Sequence, residues 1–209
     1  DVALGGEAAL EQLAAGVRFV RMVQEGTYDL VVANPPYQGT SKLAESKYVE
    51  QHYALGKADL YAAFLLRGLE FVRRGGLAAQ VSMSGWMFIK QYSALRQSVF
   101  SEHSVRTVVD LLWCAFEQMR HNTVAMYCIQ RGSLAGVDSV GLVPSPRDER
   151  EESLPALDRK RAATLCHVGR HTFDPAALKV VPGSPLVYWW DAEMLRLYQN
   201  APLIGQVAP

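Results

Sequence analysis

Hydrophobic positions along the chain fall into short blocks whose period changes from one block to the next. Residues 7–15 (EAALEQLAA) carry Leu10, Leu13 and Ala14 at helical spacing and predict a helix. Tyr28 to Ala33 (YDLVVA) is a short apolar run bounded by Gly26 and Asn34-Pro35, the pattern of a buried parallel strand. Two helices are predicted next, near 42–55 and 58–73. The second should stop at Arg73-Arg74-Gly75-Gly76, because cationic side chains followed by glycine end helices. Leu77 to Met83 (LAAQVSM) predicts a strand. Ser84 to Phe100, with Met87, Phe88, Tyr92, Leu95 and Val99 mostly three or four apart, predicts a helix. Val105 to Leu112 and Thr123 to Ile129 predict two more strands, joined by a link containing Phe116.

Strands alternating with helices imply an α/β layered sheet with helices on its faces. The last two strands leave no room for a crossover helix, so they should form an antiparallel hairpin. After Arg131 the texture changes. Residues 145–161 (SPRDEREESLPALDRKR) are polar, charged and proline-bearing and read as a solvated linker. Beyond them TLCHV (164–168) and LVYWW (186–190) are strand candidates, and Asp191 to Asn200 predicts a helix. The expected organisation is a catalytic α/β part over 1–132, a charged linker over 133–162, and the start of a second unit over 163–209.

At 209 residues, 49% hydrophobic and 20% charged, the chain can bury a real core. Its apolar runs are too short to span a bilayer, and no secretory signal opens it, so it reads as cytoplasmic. Cys114, Cys128 and Cys166 are too widely spaced for a metal site or a disulfide framework and read as buried thiols. Lys plus Arg equals Asp plus Glu at 21 each, so any surface for nucleic acid must be local rather than a general basic excess. The chain begins at Asp1 rather than Met and reads as part of something longer. A parallel sheet cut beside its first strands would expose an apolar edge, so association or aggregation is expected of the isolated segment.

The chemistry concentrates at Asn34-Pro35-Pro36-Tyr37, delivered at the carboxyl end of the first strand, where open α/β sheets bind ligands. Pro35 forces Asn34 into an extended conformation, and each proline fixes its own φ. Neither proline has an N–H, so the turn presents carbonyl acceptors. The Asn34 side-chain oxygen and the Pro35 carbonyl can face one incoming amino group, with Tyr37 as a flat face beside them. Two acceptors on one amine pull it towards tetrahedral geometry and localise its lone pair, so a conjugated nitrogen can attack an electrophilic carbon. The bland alternative is a simple turn, since Asn and Pro favour turns.

DLVVANPPYQG resembles the catalytic motif of S-adenosylmethionine-dependent amino-methyltransferases, in the form typical of DNA adenine-N6 enzymes of the gamma class. Lys57 to Leu65 (KADLYAAFL) resembles their (N/D)LYxxF helix. Gly75 to Val81 resembles their glycine pair and hydrophobic strand, and Trp86-Met87-Phe88 with Tyr92 and Leu95-Arg96 resembles the helix that follows. Val108 to Leu111, Ala115-Phe116 and Val124 resemble the last strand pair, so the likeness runs over 28–130. It is strongest to large single-chain adenine methyltransferases of phage-defence islands (the BREX or phage-growth-limitation type) and to type IIG restriction–modification enzymes. Gly183 to Val207 looks like the approach to their target-recognition domain.

The resemblance implies a Rossmann-like S-adenosylmethionine-dependent methyltransferase sheet, here its C-terminal half, and double-stranded DNA as substrate with the target base flipped out. It implies that Asn34 and Pro35, with Pro36, hold the target amine. Tyr37 and Phe116 would stack on the extruded base, and Phe64 and Asn34 would touch the cofactor. It implies no metal, and defence-system or restriction proteins as partners. Core packing is the plainer reading for Phe64 and Phe116. The family's glycine-rich cofactor loop and the acidic residue after its second strand have no match here. Gly5-Gly6 lacks a preceding apolar strand, so the main cofactor motif is expected N-terminal to Asp1 and the isolated segment is expected to be inactive. A protein-glutamine or RNA amino-methyltransferase, or a non-catalytic DNA-recognition module, are the alternative functions. His103, His121, His167 and His171 are scattered and read as surface or loop residues. Arg159-Lys160-Arg161 with Arg170 and His171 is a basic patch that could meet phosphates but reads more simply as a solvated face, and Trp189 and Trp190 read as core of the second unit.

Overall fold

The structure, a computed structural model, describes residues 2–116, 122–134, 136–144 and 154–201. His121, residues 145–153 of the charged stretch and residues 202–207 of the final segment lie outside the described residues. Six strands form one open sheet in the order β1-β2-β4-β3-β5-β6. They are β1 (Tyr28–Ala33), β2 (Val72–Met83), β3 (Ser104–Leu112), β4 (Val124–Gln130), β5 (Ser139–Leu142) and β6 (Arg170–Phe173). The helices are α1 (Val2–Met22), α2 (Ser46–His52), α3 (Leu60–Phe71), α4 (Gly85–Phe88), α5 (Ser93–Glu102), α6 (Leu154–Leu165) and α7 (Ala192–Asn200).

β1 and β2 run parallel, and β4 inserts antiparallel between β2 and β3, which is the hairpin expected from the short link. On one face of this sheet, β2, β3 and β4 meet α3, α4 and α5 through Tyr61, Leu65, Leu69, Trp86, Leu95, Val99, Val108, Tyr127 and Ile129, all buried. Burying each such large apolar side chain contributes about 1.5–3 kcal/mol before entropy is counted, so this layer is what holds the central strands in place.

Several expectations are corrected. The helix expected over 42–55 is broken into a 3₁₀ turn at Thr40–Lys42, α2, and another at Ala54–Gly56. Gly56 lies so close to the backbone of Ala62 and Ala63 that a Cβ would stand 2.6 Å from it, and this close seat lets the chain double back onto α3. The helix over 84–100 is likewise divided, into α4, a 3₁₀ turn at Lys90–Tyr92, and α5. α3 stops at Phe71 rather than at the arginine–glycine run. Residues 73–76 form a bulge at the start of β2, where Gly75 sits at φ 82° and Gly76 lies against the carbonyls of Tyr28 and Asp29. Nor is β1 buried: it lies at the edge of the sheet, and Leu30 and Val32 are exposed on its uncovered face. Leu13, Val17 and Val20 of α1 are exposed as well.

The region after Arg131 differs most. Residues 133–162 contain β5 and most of α6 rather than a continuous linker, and β5 pairs with β3 in the main sheet. TLCHV is the end of α6 and a turn, and LVYWW is an irregular segment. Lys160, expected in solvent, is buried and donates from Nζ to the carbonyls of Leu111 and Trp113. His103 is partly buried and accepts from the Gly132 N–H through Nδ1 at 3.2 Å. Trp190 packs on the core, but Trp189 is exposed. Of the cysteines only Cys114 is buried, while Cys166 is exposed.

The irregular segment is tied to the sheet by specific contacts. Tyr188 is buried and its hydroxyl donates to Asp110 Oδ2 at 3.2 Å. Its ring lies over Gly141, where an added Cβ would stand 2.5 Å from a ring carbon. Gly141→Ala should therefore displace Tyr188 and lower stability by about 1–3 kcal/mol, as overpacking does. The denaturant midpoint measures this, and an unchanged midpoint would refute the tight seat.

Candidate active site at the carboxyl end of β1

Chain order and sheet register place the Asn-Pro-Pro-Tyr turn directly above a row of paired residues. Ala33, the last residue of β1, is registered with Gln80 of β2, Gln80 with Tyr127 of β4, and Tyr127 with Val108 of β3. Asn34 follows at once and is exposed, Pro35 is buried, Pro36 is exposed and Tyr37 is partly buried. The prolines stiffen the turn while the Asn34 amide faces solvent. The Tyr37 hydroxyl donates to Asn34 Oδ1 at 3.4 Å, a long bond, so the structure brings these two predicted residues together. The Tyr37 ring stands edge-on to Tyr61 with centroids 6.5 Å apart and planes at 85°. Burial raises the Tyr37 hydroxyl's pKa above the ordinary tyrosine value, so it stays protonated at neutral pH.

The loop after Tyr37 is stitched to the start of α3. The Leu60 N–H donates to the Gln38 carbonyl at 3.0 Å, and the Thr40 N–H donates to the Ala58 carbonyl at 3.3 Å. The Thr40 hydroxyl donates to the Lys57 carbonyl, and Gly39 makes an antiparallel bridge to Asp59. Asp59 caps α3, accepting from the Tyr61 N–H at 3.4 Å. Burial pushes its carboxyl above the usual carboxylate range, opposed by the backbone donors of Tyr61, Gln38 and Leu60. An acid whose folded pKa is raised stabilises the fold least once it is ionised, so its charge is a cost at pH 7. Asp59→Asn should then be as stable as wild type or slightly more so, because asparagine caps as well without the charge. Asp59→Ala should lose about 1 kcal/mol. Equal losses in the two denaturation curves would contradict the cap.

The other two predicted residues stand apart from this pair. Phe64 is exposed on α3, so simple core packing does not account for it. Phe116 lines a separate cavity of about 430 Å³ with Leu111, Met126, Leu157 and Leu165. Its link is strained: Leu112 and Cys114 both adopt positive φ, 56° and 54°.

Sequence reasoning assigned no role to the polar groups beneath the turn. Gln80 is buried and its Nε2 donates to the Tyr61 carbonyl at 2.7 Å. The Ser82 and Tyr127 hydroxyls lie 3.1 Å apart, both buried. Burial raises the Tyr127 pKa, partly offset by hydrogen bonds from Ser82 and Gln80. The signal that could have found them is a glutamine and a serine inside the otherwise apolar strand LAAQVSM.

A sheet that inserts its antiparallel β4 between β2 and β3, with an Asn-Pro-Pro-Tyr turn at the end of its edge strand, has the fold of S-adenosylmethionine-dependent methyltransferases. The chain belongs to the Eco57I restriction-modification methylase family, whose sequence model matches residues 7–115. It is 26% identical over 180 residues to the adenine-specific methyltransferase PglX of Lacticaseibacillus casei (strain Zhang), covering 82% of this chain and 14% of that protein. It is also 26% identical over 213 residues to the adenine-specific methyltransferase BrxX of Escherichia coli O9:H4 (strain HS), covering 97% of this chain and 17% of that protein. The chain thus spans less than a fifth of these relatives' length. Among solved structures, a type I restriction–modification assembly superposes with a TM-score of 0.56 at 17% identity, over 77% of this chain and 37% of that one. The DrdV–DNA complex gives 0.55 at 16%, over 78% and 18%. The type I methyltransferase subunit from Streptococcus thermophilus gives 0.54 at 16%, over 78% and 38%. No helix among the described residues is long and apolar enough to cross a membrane, and no group of three or more metal-ligating side chains occurs among them.

Proposed function

We propose that this chain carries the amine-acceptor site of a DNA adenine-N6 methyltransferase acting in phage defence or restriction–modification. The observation that carries the reading is the exposed Asn34 amide, held at the end of β1 by buried Pro35 and flanked by Tyr37. Curated relatives named adenine-specific methyltransferases support adenine as the target base. Neighbours solved with DNA support a DNA substrate, and a neighbour described by its complex assembly supports partner proteins. The setting is the cytoplasm.

In this reading the target adenine leaves the helix at a cost of a few kcal/mol, offset in the pocket. Tyr37 stacks on the extruded base, worth about 1–3 kcal/mol. Asn34 and the Pro35 carbonyl accept the two amino hydrogens and localise the nitrogen lone pair, and Pro36 keeps the turn rigid. After attack the nitrogen gives up one proton and returns to conjugation. S-adenosylmethionine, when bound, supplies the methyl group. The exposed Phe64 ring and the Asn34 backbone at the β1 edge fit contacts to it. The segment Gly183 to Val207 leads towards target recognition.

The test uses the full-length protein with S-adenosylmethionine carrying a labelled methyl group and mixed-sequence duplex DNA, digested to nucleosides. Label should appear in N6-methyladenine. Label in protein or RNA instead would replace adenine with another amino acceptor, and no cofactor binding would leave a recognition module.

A further inference from the structure

The register row beneath the catalytic turn contains one buried amide where an apolar residue would be expected. Gln80 is 6% exposed in the middle of β2, between Ala33 and Tyr127 in the register. Its backbone is paired with Ala33 of β1, the residue immediately before Asn34. Its side chain reaches the other way out of the sheet, donating to the Tyr61 carbonyl in the first turn of α3. That same turn carries the Tyr61 ring against Tyr37, and its cap Asp59 bridges to Gly39 just beyond Tyr37. Both ends of the Asn34–Tyr37 turn are therefore referred to one residue, through the strand on one side and through α3 on the other.

We infer that Gln80 is a positioning residue for methyl transfer: its bond to the Tyr61 carbonyl sets where Tyr37 and Asn34 stand relative to the target base. A buried amide in an apolar strand needs such a partner, since leaving its polar groups unpaired costs free energy. Ser82, two residues nearer the carboxyl end of β2, is hydrogen-bonded to Tyr127 at 3.1 Å on the same sheet face. The inference rests on the adenine-methyltransferase reading above.

The experiment measures single-turnover methyl transfer by the full-length protein, wild type, Asn34→Ala, Gln80→Met and Gln80→Glu. Methionine keeps the shape without the donor, and glutamate keeps shape and polarity but, when ionised, sets a carboxylate against the carbonyl. Both should fall about ten- to a hundredfold in rate, as misplacement of reacting groups does. Their KM for S-adenosylmethionine and their DNA affinity should stay within about twofold. With 2-aminopurine at the adenine that wild type methylates, emission should rise above wild type, because the extruded base is less firmly stacked on Tyr37. A folded Gln80 variant with a wild-type rate overturns the inference. So does a loss seen in cofactor or DNA binding rather than in rate, or failure of both variants to fold. If wild type itself transfers no label to adenine, or Asn34→Ala loses nothing, the underlying reading fails first and this inference falls with it.

Discussion

Asn34→Ala should lower the single-turnover rate of adenine methylation by at least about 10²-fold, the scale set by removing one preorganised hydrogen-bonding group from a transition state. Duplex affinity and cofactor affinity should change little. In the proposed reading the asparagine acts on charge that grows as the amine becomes tetrahedral and contributes little to holding the ground state. Its side chain is exposed, so truncation leaves no cavity and the fold should melt as before. Rapid-quench measurement of labelled N6-methyladenine decides it. A variant with the wild-type rate would mean that the turn is only a turn. A variant that fails to bind DNA would move Asn34 from chemistry to recognition.

Arg96→Met should destabilise the protein by about 3 kcal/mol or more, in the range found when a buried charge network is broken. Arg96 is 1% exposed and donates to four carbonyls: Trp86 at 2.7 Å, Ile89 at 2.9 Å, Gly183 at 2.7 and 3.0 Å, and Ser184 at 3.0 Å. Burial pulls its pKa down to about 10, still charged at neutral pH. The guanidinium fork spans α4, the turn after it and the segment at 183–184 at once, which a lysine ammonium on a single point does not do. Arg96→Lys should therefore recover only part of the loss. In hydrogen exchange the Leu186 amide, bonded to the Met87 carbonyl at 2.8 Å, should lose protection first. A melting temperature within about 2 °C of wild type would refute the clamp, since about 3 kcal/mol corresponds to a larger shift in a chain of this size.

How far the molecule was legible differs by region. Between residues 28 and 130 the strands, α3 and the closing hairpin follow from apolar runs, helical spacing and the length of the link, and the family match, over 7–115, covers most of that stretch. The turn was legible for a covalent reason: two prolines restrict φ wherever they stand. The broken helices were less so. The apolar spacing over 84–100 continues through Ile89, yet the carbonyls of Trp86 and Ile89 are drawn to Arg96, and the helix divides there. The bulge at Arg73–Gly76 looks locally like a helix stop, because glycine after cations serves both purposes. Its identity depends on Arg131, just after β4, whose backbone bonds Gly75 and Gly76.

From the residues alone came the α/β layering, the position of the Asn-Pro-Pro-Tyr turn at a strand's carboxyl end, and the antiparallel closure, all consequences of local sterics and chain length. Only the tertiary structure decided which neighbours complete each element. It joined β5, α6 and the 183–190 segment to the main sheet through Lys160, Arg96 and the Tyr188–Asp110 bond, where composition suggested a linker and a separate unit. It left β1 at an exposed edge and set Gln80 beneath the turn. Those contacts pair residues from 19 to 88 positions apart, and hydrogen bonds across such separations leave no period in the sequence by which they could be read.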